Sequence, residues 1–211
     1  MVELAYPDRR PAPAWLLVVA GAAMVVTGVS ILWVDEPVAL ALAGKDVLPG
    51  LWAHGLDVLE WAVLLPVFSW AGAIALVAAM VASIVVRGWR GQTPAWMLLA
   101  STHVVSRIVT GWIKTGTGRL RPSEWHGGAT FGHAAGVSFP SGHIALFASI
   151  AIPLAVVSPR LGRPIALVVV PFVMLARVLG HAHFISDVTA GVALVALVTW
   201  VMGAVIRPLP R

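Results

Sequence analysis

The sequence predicts an all-α fold, a six-transmembrane-helix bundle with a short interfacial helix between spans one and two. Composition is the first indication, because 59% of the 211 residues are hydrophobic and only 11% are charged. A soluble domain is about a quarter charged, so this composition indicates an integral membrane protein. Uncharged segments also recur along the chain at close to the roughly 20 residues that a membrane helix needs. Residues 1–211 are predicted to form a single membrane-embedded domain.

Residues 14–34 form the first predicted span. The segment carries no charge, and at about 1.5 Å per residue it covers a hydrocarbon core about 30 Å thick. Residues 35–61 mix acidic side chains such as Asp35 and Glu36 with apolar patches. A mixed segment of this kind is typical of a helix lying in the membrane surface, so we expect it there.

Five further apolar segments complete the predicted bundle. They cover residues 62–86, 94–113, 141–157, 165–181 and 186–206, and short polar turns or a glycine-rich loop separate them. The third span is the most polar, because it carries His103 and Arg107. We expect these two side chains to make structural pairs inside the bundle.

Six spans place both termini on the same side of the membrane. Basic residues flank the spans on that side at eight positions: Arg9, Arg10, Arg87, Arg90, Arg160, Arg163, Arg207 and Arg211. The positive-inside rule therefore predicts cytoplasmic termini. We expect a multi-pass protein of the cell inner (cytoplasmic) membrane.

Composition also excludes some chemistry. The chain has no cysteine, so disulfides, thiol nucleophiles and thiolate metal sites are excluded. The net charge of +5 comes mostly from residues that flank apolar segments. Because no long basic run is present, we do not expect a nucleic-acid partner.

The stretch Pro140-Ser141-Gly142-His143 lies where the glycine-rich loop gives way to the fourth span. Proline does not continue a preceding helix, serine is a good N-cap, and glycine lets a ligand approach the backbone closely. The first amides of a helix lack intrahelical partners and attract anions. We therefore predict an anion site here, with His143 beside it to give or take a proton.

Three polar clusters fall at span ends, in residues 114–122, 140–143 and 177–187. Odd spans run outward and even spans run inward, so all three clusters are predicted on the non-cytoplasmic face. Lys114, Arg121 and Arg177 would repel one another there unless an anion lay between them. Arginine binds phosphate through paired donors and lysine adds a mobile charge, so phosphate is the expected guest.

The expected nucleophile is a histidine paired with an aspartate. His183 and Asp187 are four residues apart, so a helical turn lets the carboxylate accept a hydrogen bond from one ring nitrogen while the other attacks phosphorus. Arg177 and His183 would lie about 120° apart on a continuous helix, so we expect a break near Gly180. No metal or cofactor is expected, because the His181–His183 pair lacks the carboxylates of a two-metal site.

These motifs resemble the type 2 phosphatidic acid phosphatase superfamily. The signature has three parts: Lys114 and Arg121-Pro122 with six residues between them, then Pro140 to His143, then Arg177 and His183 with five residues between them and three more before Asp187. The resemblance implies a metal-independent lipid phosphate phosphatase that works through a phosphohistidine. The position before Arg177, often serine in that family, is Ala176 here, which puts only that contact to phosphate in doubt.

The resemblance also implies a role for each matching residue. His183 would be the nucleophile, Asp187 would orient it, and His143 would protonate the leaving group. The phosphate would be held by five residues: Lys114, Arg121, Ser141, Gly142 and Arg177. The expected partners are the bilayer and a membrane lipid phosphate.

Several points stay open at this level. Undecaprenyl diphosphate, phosphatidylglycerophosphate, phosphatidate and a lipid A phosphate all remain candidate substrates, and the oligomeric state is not predicted. A lipid phosphotransferase using the same phosphohistidine is the nearer alternative. A small transporter or proton relay is a more distant one, because it would place ionisable residues at mid-membrane. Four further residues, His126, His133, His181 and Glu124, are interpreted as loop, helix-end or surface residues.

Overall fold

The computed structural model describes residues 12–45, 50–63, 65–66 and 68–206, without the side chain of Leu51. Every regular element in these ranges is a helix, which confirms the predicted all-α class. The α-helices are α1 (Trp15–Val29), α2 (Asp35–Leu42), α3 (Gly50–Ala62), α4 (Ala71–Val85), α5 (Thr93–Thr117), α6 (Gly142–Val157), α7 (Pro159–Leu179) and α8 (Ile185–Val205). The predicted basic flanks Arg9, Arg10, Arg207 and Arg211 lie outside the described residues.

The N-terminal helix is longer than predicted. A π-helical turn, Ser30–Val34, joins α1 directly to α2, so one helix of 28 residues runs from Trp15 to Leu42. The predicted end of the first helix at residue 34 is therefore wrong, because the helix continues through Asp35. A carboxylate ended the predicted span, but Asp35 is only 4% exposed and forms an ion pair with Arg119, so it does not need water.

The π-turn sets the direction in which Asp35 points. The amide of Asp35 donates to the carbonyl of Ser30, five residues back instead of four. Ser30 and Asp35 are both buried, a spacing of five that a regular α-helix would place on different faces. The extra residue in this turn brings the carboxylate onto the interior side.

A short helix does follow the first long helix, as predicted, but the second span begins later than expected. α3 ends at Ala62 and α4 begins at Ala71. Pro66 lies between them, and proline breaks the hydrogen-bond ladder of a helix. α4 has 15 residues, which corresponds to a length of about 22 Å.

The later helices agree more closely with the predicted spans. α5 ends on Gly118, whose φ of 55° is the left-handed conformation that glycine adopts without strain. α7 begins at Pro159 instead of residue 165, so Arg160 and Arg163 lie in a helix and not in the predicted turn. Proline at a first helical position is favourable, because its missing amide would have no partner there.

Packing places α6 at the centre of the bundle, against α5, α7 and α8, while α1 packs along α8. Ile144 on α6, Leu98 on α5 and Val195 on α8 are fully buried in this core. In the described part of the chain, three helices are long and apolar enough to cross a membrane: Trp15–Leu42, Pro159–Leu179 and Ile185–Val205. Two shorter apolar helices, Ala71–Val85 and Gly142–Val157, accompany them.

Candidate active site

The loop between α5 and α6 folds back so that the three sequence motifs meet. The amide of Ser141, just before α6, donates to the carbonyl of Asp187 at 2.9 Å. Lys114 Nζ, in the last turn of α5, donates to the carbonyl of Ser138 at 3.3 Å. Its side chain also lies against Gly142, where an added Cβ would be 3.6 Å from Lys114 Cε. The ends of α5 and α7 therefore face the starts of α6 and α8.

The connection between α7 and α8 positions His183. α7 ends at Leu179, Gly180 caps it, and His181 takes a φ of 54°. The helix break predicted near Gly180 is thus confirmed. The amides of Ala182 and His183 then both donate to the carbonyl of Arg177 at 3.1 Å. This turn carries His183 back toward the last turn of α7.

His183 and Asp187 form a buried pair. Nδ1 of His183 lies 3.3 Å from Oδ2 of Asp187, and the two side chains are 3% and 0% exposed. Burial lowers the pKa of His183 below its usual value, and the hydrogen bond to Asp187 partly offsets that shift. Nδ1 of His183 thus faces Asp187, while Nε2 has no hydrogen-bond partner among the described residues.

The carboxylate of Asp187 is held from several sides. Its Oδ1 accepts from Arg119 Nη1 at 2.6 Å. Its Oδ2 accepts from Ser138 Oγ at 2.5 Å and from the amide of Phe184 at 2.9 Å. With so many donors, the carboxylate has a fixed orientation toward His183.

Arg119 is a site residue that sequence reasoning missed. No role for Arg119 is predicted from the sequence, yet it is 1% exposed and pairs with both Asp187 and Asp35. Its guanidinium carbon lies 4.5 Å and 4.2 Å from the ring centroids of Phe131 and Phe184. An acidic residue at the end of an apolar span was the one available signal that such a partner existed.

Glu60 on α3 is a second missed residue. Its Oε1 lies 2.9 Å from Nε2 of His143, and the two side chains are 22% and 25% exposed. Burial raises the pKa of Glu60 above its usual value, while nearby Arg177 opposes that rise and Asp57 adds to it. The sequence placed Glu60 in a surface segment without a partner.

Several polar atoms around the motifs are buried and have no hydrogen-bond partner among the described residues: Ser141 Oγ, Arg121 Nε and Arg177 Nε. Ser141 is the residue before α6, as predicted, but its side chain makes no capping hydrogen bond. The predicted N-cap position is confirmed, and the hydroxyl is left available. Buried donors of this kind need an acceptor, and an anionic oxygen would satisfy them.

A groove of about 290 Å³ extends from this cluster between α5 and α6. Lys114, Gly142 and His143 line one part of it, and Arg107 and Leu65 line another. Arg107 also lies over the ring of Trp70, 4.5 Å from its centroid. The groove thus joins the polar cluster to an apolar helix surface.

The remaining polar residues take structural positions. His103 pairs with Ser149 at 2.8 Å, and Arg107 donates to the carbonyl of Ser69, so they pair with other residues and not with each other. Glu124 is exposed and accepts from the amide of Arg121 at 3.1 Å. The loop histidines include His126, which is exposed, and His133, whose Nε2 lies 2.7 Å from the carbonyl of Ala129.

The fold and this cluster define the class of protein: an all-helical membrane protein with a histidine–aspartate pair beside arginine and lysine. Residues 95–209 match the model of the PAP2 superfamily, and the chain belongs to that superfamily. This match confirms the resemblance predicted from the three motifs.

Two relatives carry more specific names. The chain is 35% identical over 101 residues to a lipid A 1-phosphatase of Rhizobium etli, which covers 45% of this chain and 43% of the relative. It is 34% identical over 98 residues to a lipid A 1-phosphatase of Rhizobium johnstonii, covering 44% and 40%. The chain thus matches less than half the length of these curated relatives. No solved structure matches the chain.

Proposed function

We propose that this protein is an integral membrane lipid phosphate phosphatase that hydrolyses a lipid phosphomonoester or diphosphate through a phosphohistidine, without a metal ion. One observation carries the proposal: His183 Nδ1 is hydrogen-bonded to Asp187 at 3.3 Å, which leaves Nε2 available. Membership of the PAP2 superfamily supports the reaction class. Lys114, Arg121 and Arg177 supply the positive charge that a phosphate group requires.

His183 is the proposed nucleophile. Its Nε2 forms a bond to phosphorus while the bond from phosphorus to the leaving oxygen breaks. Nδ1 keeps its proton, so the phosphorylated ring gains a positive charge that Asp187 stabilises. The leaving oxygen takes its proton from His143, the proposed general acid.

The transferred phosphoryl group carries negative charge throughout the reaction. Five residues are proposed to hold its oxygens: Lys114, Arg121, Arg177, Ser141 and Gly142. The unpartnered atoms of Ser141, Arg121 and Arg177 support this assignment. Fixed donors in a water-poor site stabilise charge more than water does.

Hydrolysis of the intermediate completes the cycle. A water molecule gives a proton to His143, its oxygen bonds to phosphorus, and the bond from phosphorus to Nε2 breaks. Inorganic phosphate leaves and His183 returns to its neutral form. If a second lipid replaces water as acceptor, the same site is a phosphotransferase, so the two activities differ only in the acceptor.

The architecture proposed for this activity is a single domain with six spans. The three long apolar helices, the two shorter ones and α5 at the bundle core would supply them. In that topology the motifs lie on the non-cytoplasmic face of a bacterial inner membrane and both termini are cytoplasmic. The basic residues Arg87, Arg90, Arg160 and Arg163 favour this orientation.

A lipid A phosphate is the first substrate to test. The two relatives named lipid A 1-phosphatase match through about 100 residues of this chain. The groove between α5 and α6 supports a lipid over a soluble ester, because it joins the polar cluster to an apolar surface. Undecaprenyl diphosphate, phosphatidylglycerophosphate and phosphatidate belong in the same panel.

The test is phosphate release from this panel by purified protein in detergent with EDTA. We expect release from at least one lipid, unchanged by EDTA, and none from the His183→Ala variant. His126→Ala is the matched control, because His126 is an exposed loop histidine. Full activity of His183→Ala would overturn the proposal, whereas transfer to an added lipid without free phosphate would favour the phosphotransferase.

A further inference from the structure

We propose that Asp35 and Arg119 are positioning residues that hold Asp187, and through it the nucleophile His183, in the reactive orientation. The inference rests on the proposed function, since it assigns His183 the attacking nitrogen. Arg119 lies at an unspecified position between Lys114 and Arg121 of the first motif. Asp35 belongs to none of the three motifs and lies outside the region that matches the superfamily model.

The geometry is a buried chain of charges. Arg119 Nη1 lies 2.6 Å from Asp187 Oδ1, and Nη2 lies 2.7 Å from Asp35 Oδ2. The three side chains are at most 4% exposed. The rings of Phe131 and Phe184 lie within 4.5 Å of the guanidinium, so Arg119 is confined between its two carboxylates.

The two carboxylate oxygens of Asp187 contact different residues. Oδ2 faces His183, and Oδ1 is fixed by Arg119. Without Arg119, only Ser138 Oγ and the amide of Phe184 would hold the carboxylate, both through Oδ2, so the group could pivot about that atom and shift it relative to the imidazole. The contact from Oδ2 to Nδ1 is already 3.3 Å, near the upper limit for a hydrogen bond, so a small rotation would break it.

Asp35 supports this arrangement from another helix. Its Oδ1 accepts from the amide of Ser186 at 3.1 Å, and its Oδ2 accepts from the hydroxyl of Ser186. That hydroxyl also accepts from Arg119 Nη1 at 2.5 Å. Asp35 therefore ties the N-terminal helix to the first turn of α8, next to Asp187.

The charges of Asp35, Asp187 and Arg119 predict how removing Asp35 changes the rate of phosphohistidine formation. Asp35 and Asp187 each contribute one negative charge and Arg119 one positive charge, which leaves one negative charge in excess within this group of three, beside the cations Lys114 and Arg177 that also act on His183. That excess favours the positive charge that the ring gains when Nε2 bonds to phosphorus. Removing Asp35 would leave Arg119 to neutralise Asp187 fully, so the phosphohistidine would form more slowly.

The test uses the full chain in detergent with a radiolabelled lipid phosphate that the wild type hydrolyses. For Asp35→Asn we expect phosphohistidine formation in single turnover to slow by about 10- to 100-fold, the range for hydrogen-bond partners behind metal-binding histidines. KM should stay within about twofold, because Asp35 is not expected to contact substrate. Glu36→Gln, a change at the exposed neighbour on the same helix, should leave the rate unchanged.

A second readout requires no turnover. With ¹⁵N-labelled histidine, and His183 assigned by comparison with His183→Ala, the wild type should show His183 as the Nδ1–H tautomer. Asp35→Asn should show a mixture of tautomers. A pure Nδ1–H tautomer together with a wild-type rate in Asp35→Asn would overturn the proposal.

A milder variant distinguishes a protein that fails to fold from one that folds but no longer positions Asp187. If Asp35→Asn unfolds, Ser186→Ala decides, because it removes one bridging hydroxyl and keeps every charge. It should slow phosphohistidine formation several-fold, and a wild-type rate would overturn the inference. If the wild type itself forms no acid-labile phosphohistidine, the proposed function has failed instead.

Discussion

Oε1 of Glu60 lies 2.9 Å from Nε2 of His143, so a carboxylate from α3 contacts the proposed general acid. A carboxylate at this distance favours the protonated imidazole, which is the form that donates to a leaving oxygen. Three charged or titratable groups face Glu60: His143, Arg177 and Asp57. Other groups near His143 oppose its protonation: Arg177, His183, Lys114 and Arg121. Glu60 is thus a candidate for offsetting their effect.

Glu60→Gln keeps the size of the side chain and removes its charge. We expect the alkaline limb of the pH profile of kcat to move to lower pH by about one unit, because the imidazole loses its anionic neighbour. Rates on a lipid phosphate should fall near neutral pH. The control is Glu36→Gln, a change at an exposed acid on α2 that should leave the limb in place. An unmoved limb in Glu60→Gln would rule out this role.

Burial of His183 should affect how both activity and stability depend on pH. Burial lowers the pKa of His183, so the limb that reports loss of the neutral nucleophile should lie below the ordinary histidine value of about 6.5. Below that value the unfolded state takes up a proton on this residue before the native state does. The native state therefore loses stability as pH falls from about 6.5 toward the lowered pKa of His183.

Thermal unfolding in detergent between pH 4 and pH 8 measures that stability loss. His183→Gln lacks the titrating group, so its unfolding temperature should change less with pH than that of the wild type. Equal pH dependence in both proteins would show that His183 does not carry this linkage.

The role proposed for His143 predicts a dependence on the leaving group. A general acid contributes about 10²- to 10⁴-fold when the leaving oxygen is a poor one. His143→Ala should therefore lose activity by that factor on a lipid alkyl phosphate and far less on an aryl phosphate such as p-nitrophenyl phosphate. Equal losses on both substrates would contradict the acid role and point to a part in phosphate binding.

Gly162 sets the closeness of α6 and α7. A Cβ at this position would lie 2.2 Å from the backbone nitrogen of Ala155, so even alanine forces the hairpin apart. We expect Gly162→Ala to destabilise the protein by about 1–3 kcal/mol, seen as a lower unfolding temperature in detergent. Gly21→Ala is the matched control, because nothing lies within 4 Å of the Cβ it would add. That change should be neutral or stabilising.

Local sequence features were sufficient to predict the all-helical fold class and the helix break after Leu179. Long apolar segments predict helices, and Gly180 follows the last residue of α7 as a terminating signal. The spacing of four between His183 and Asp187 likewise predicted their contact, because it depends on a single turn of chain. The superfamily was also recognisable from three short motifs.

Contacts between distant residues were not predictable in the same way. Arg119 and Asp35 are 84 residues apart in sequence, and Glu60 and His143 are 83 apart. Their pairing depends on how the helices pack. The end of the first helix was not predictable for a related reason: a charged residue normally indicates the end of a span, but the bundle supplies Asp35 with a buried partner.

The π-turn makes the number of residues between Ser30 and Asp35 a structural constraint in its own right. Buried Ser30 and buried Asp35 share the interior side because five residues, not four, close the turn between them. Deleting one residue there would leave Ser30 and the aspartate four positions apart, which a regular α-turn places about 40° from each other, on the same face. Adding one residue would leave them six positions apart and about 120° out of alignment, so the carboxylate would face away from Arg119 although every residue of the pair was still present. We therefore expect this turn to tolerate the loss of one residue better than the gain of one.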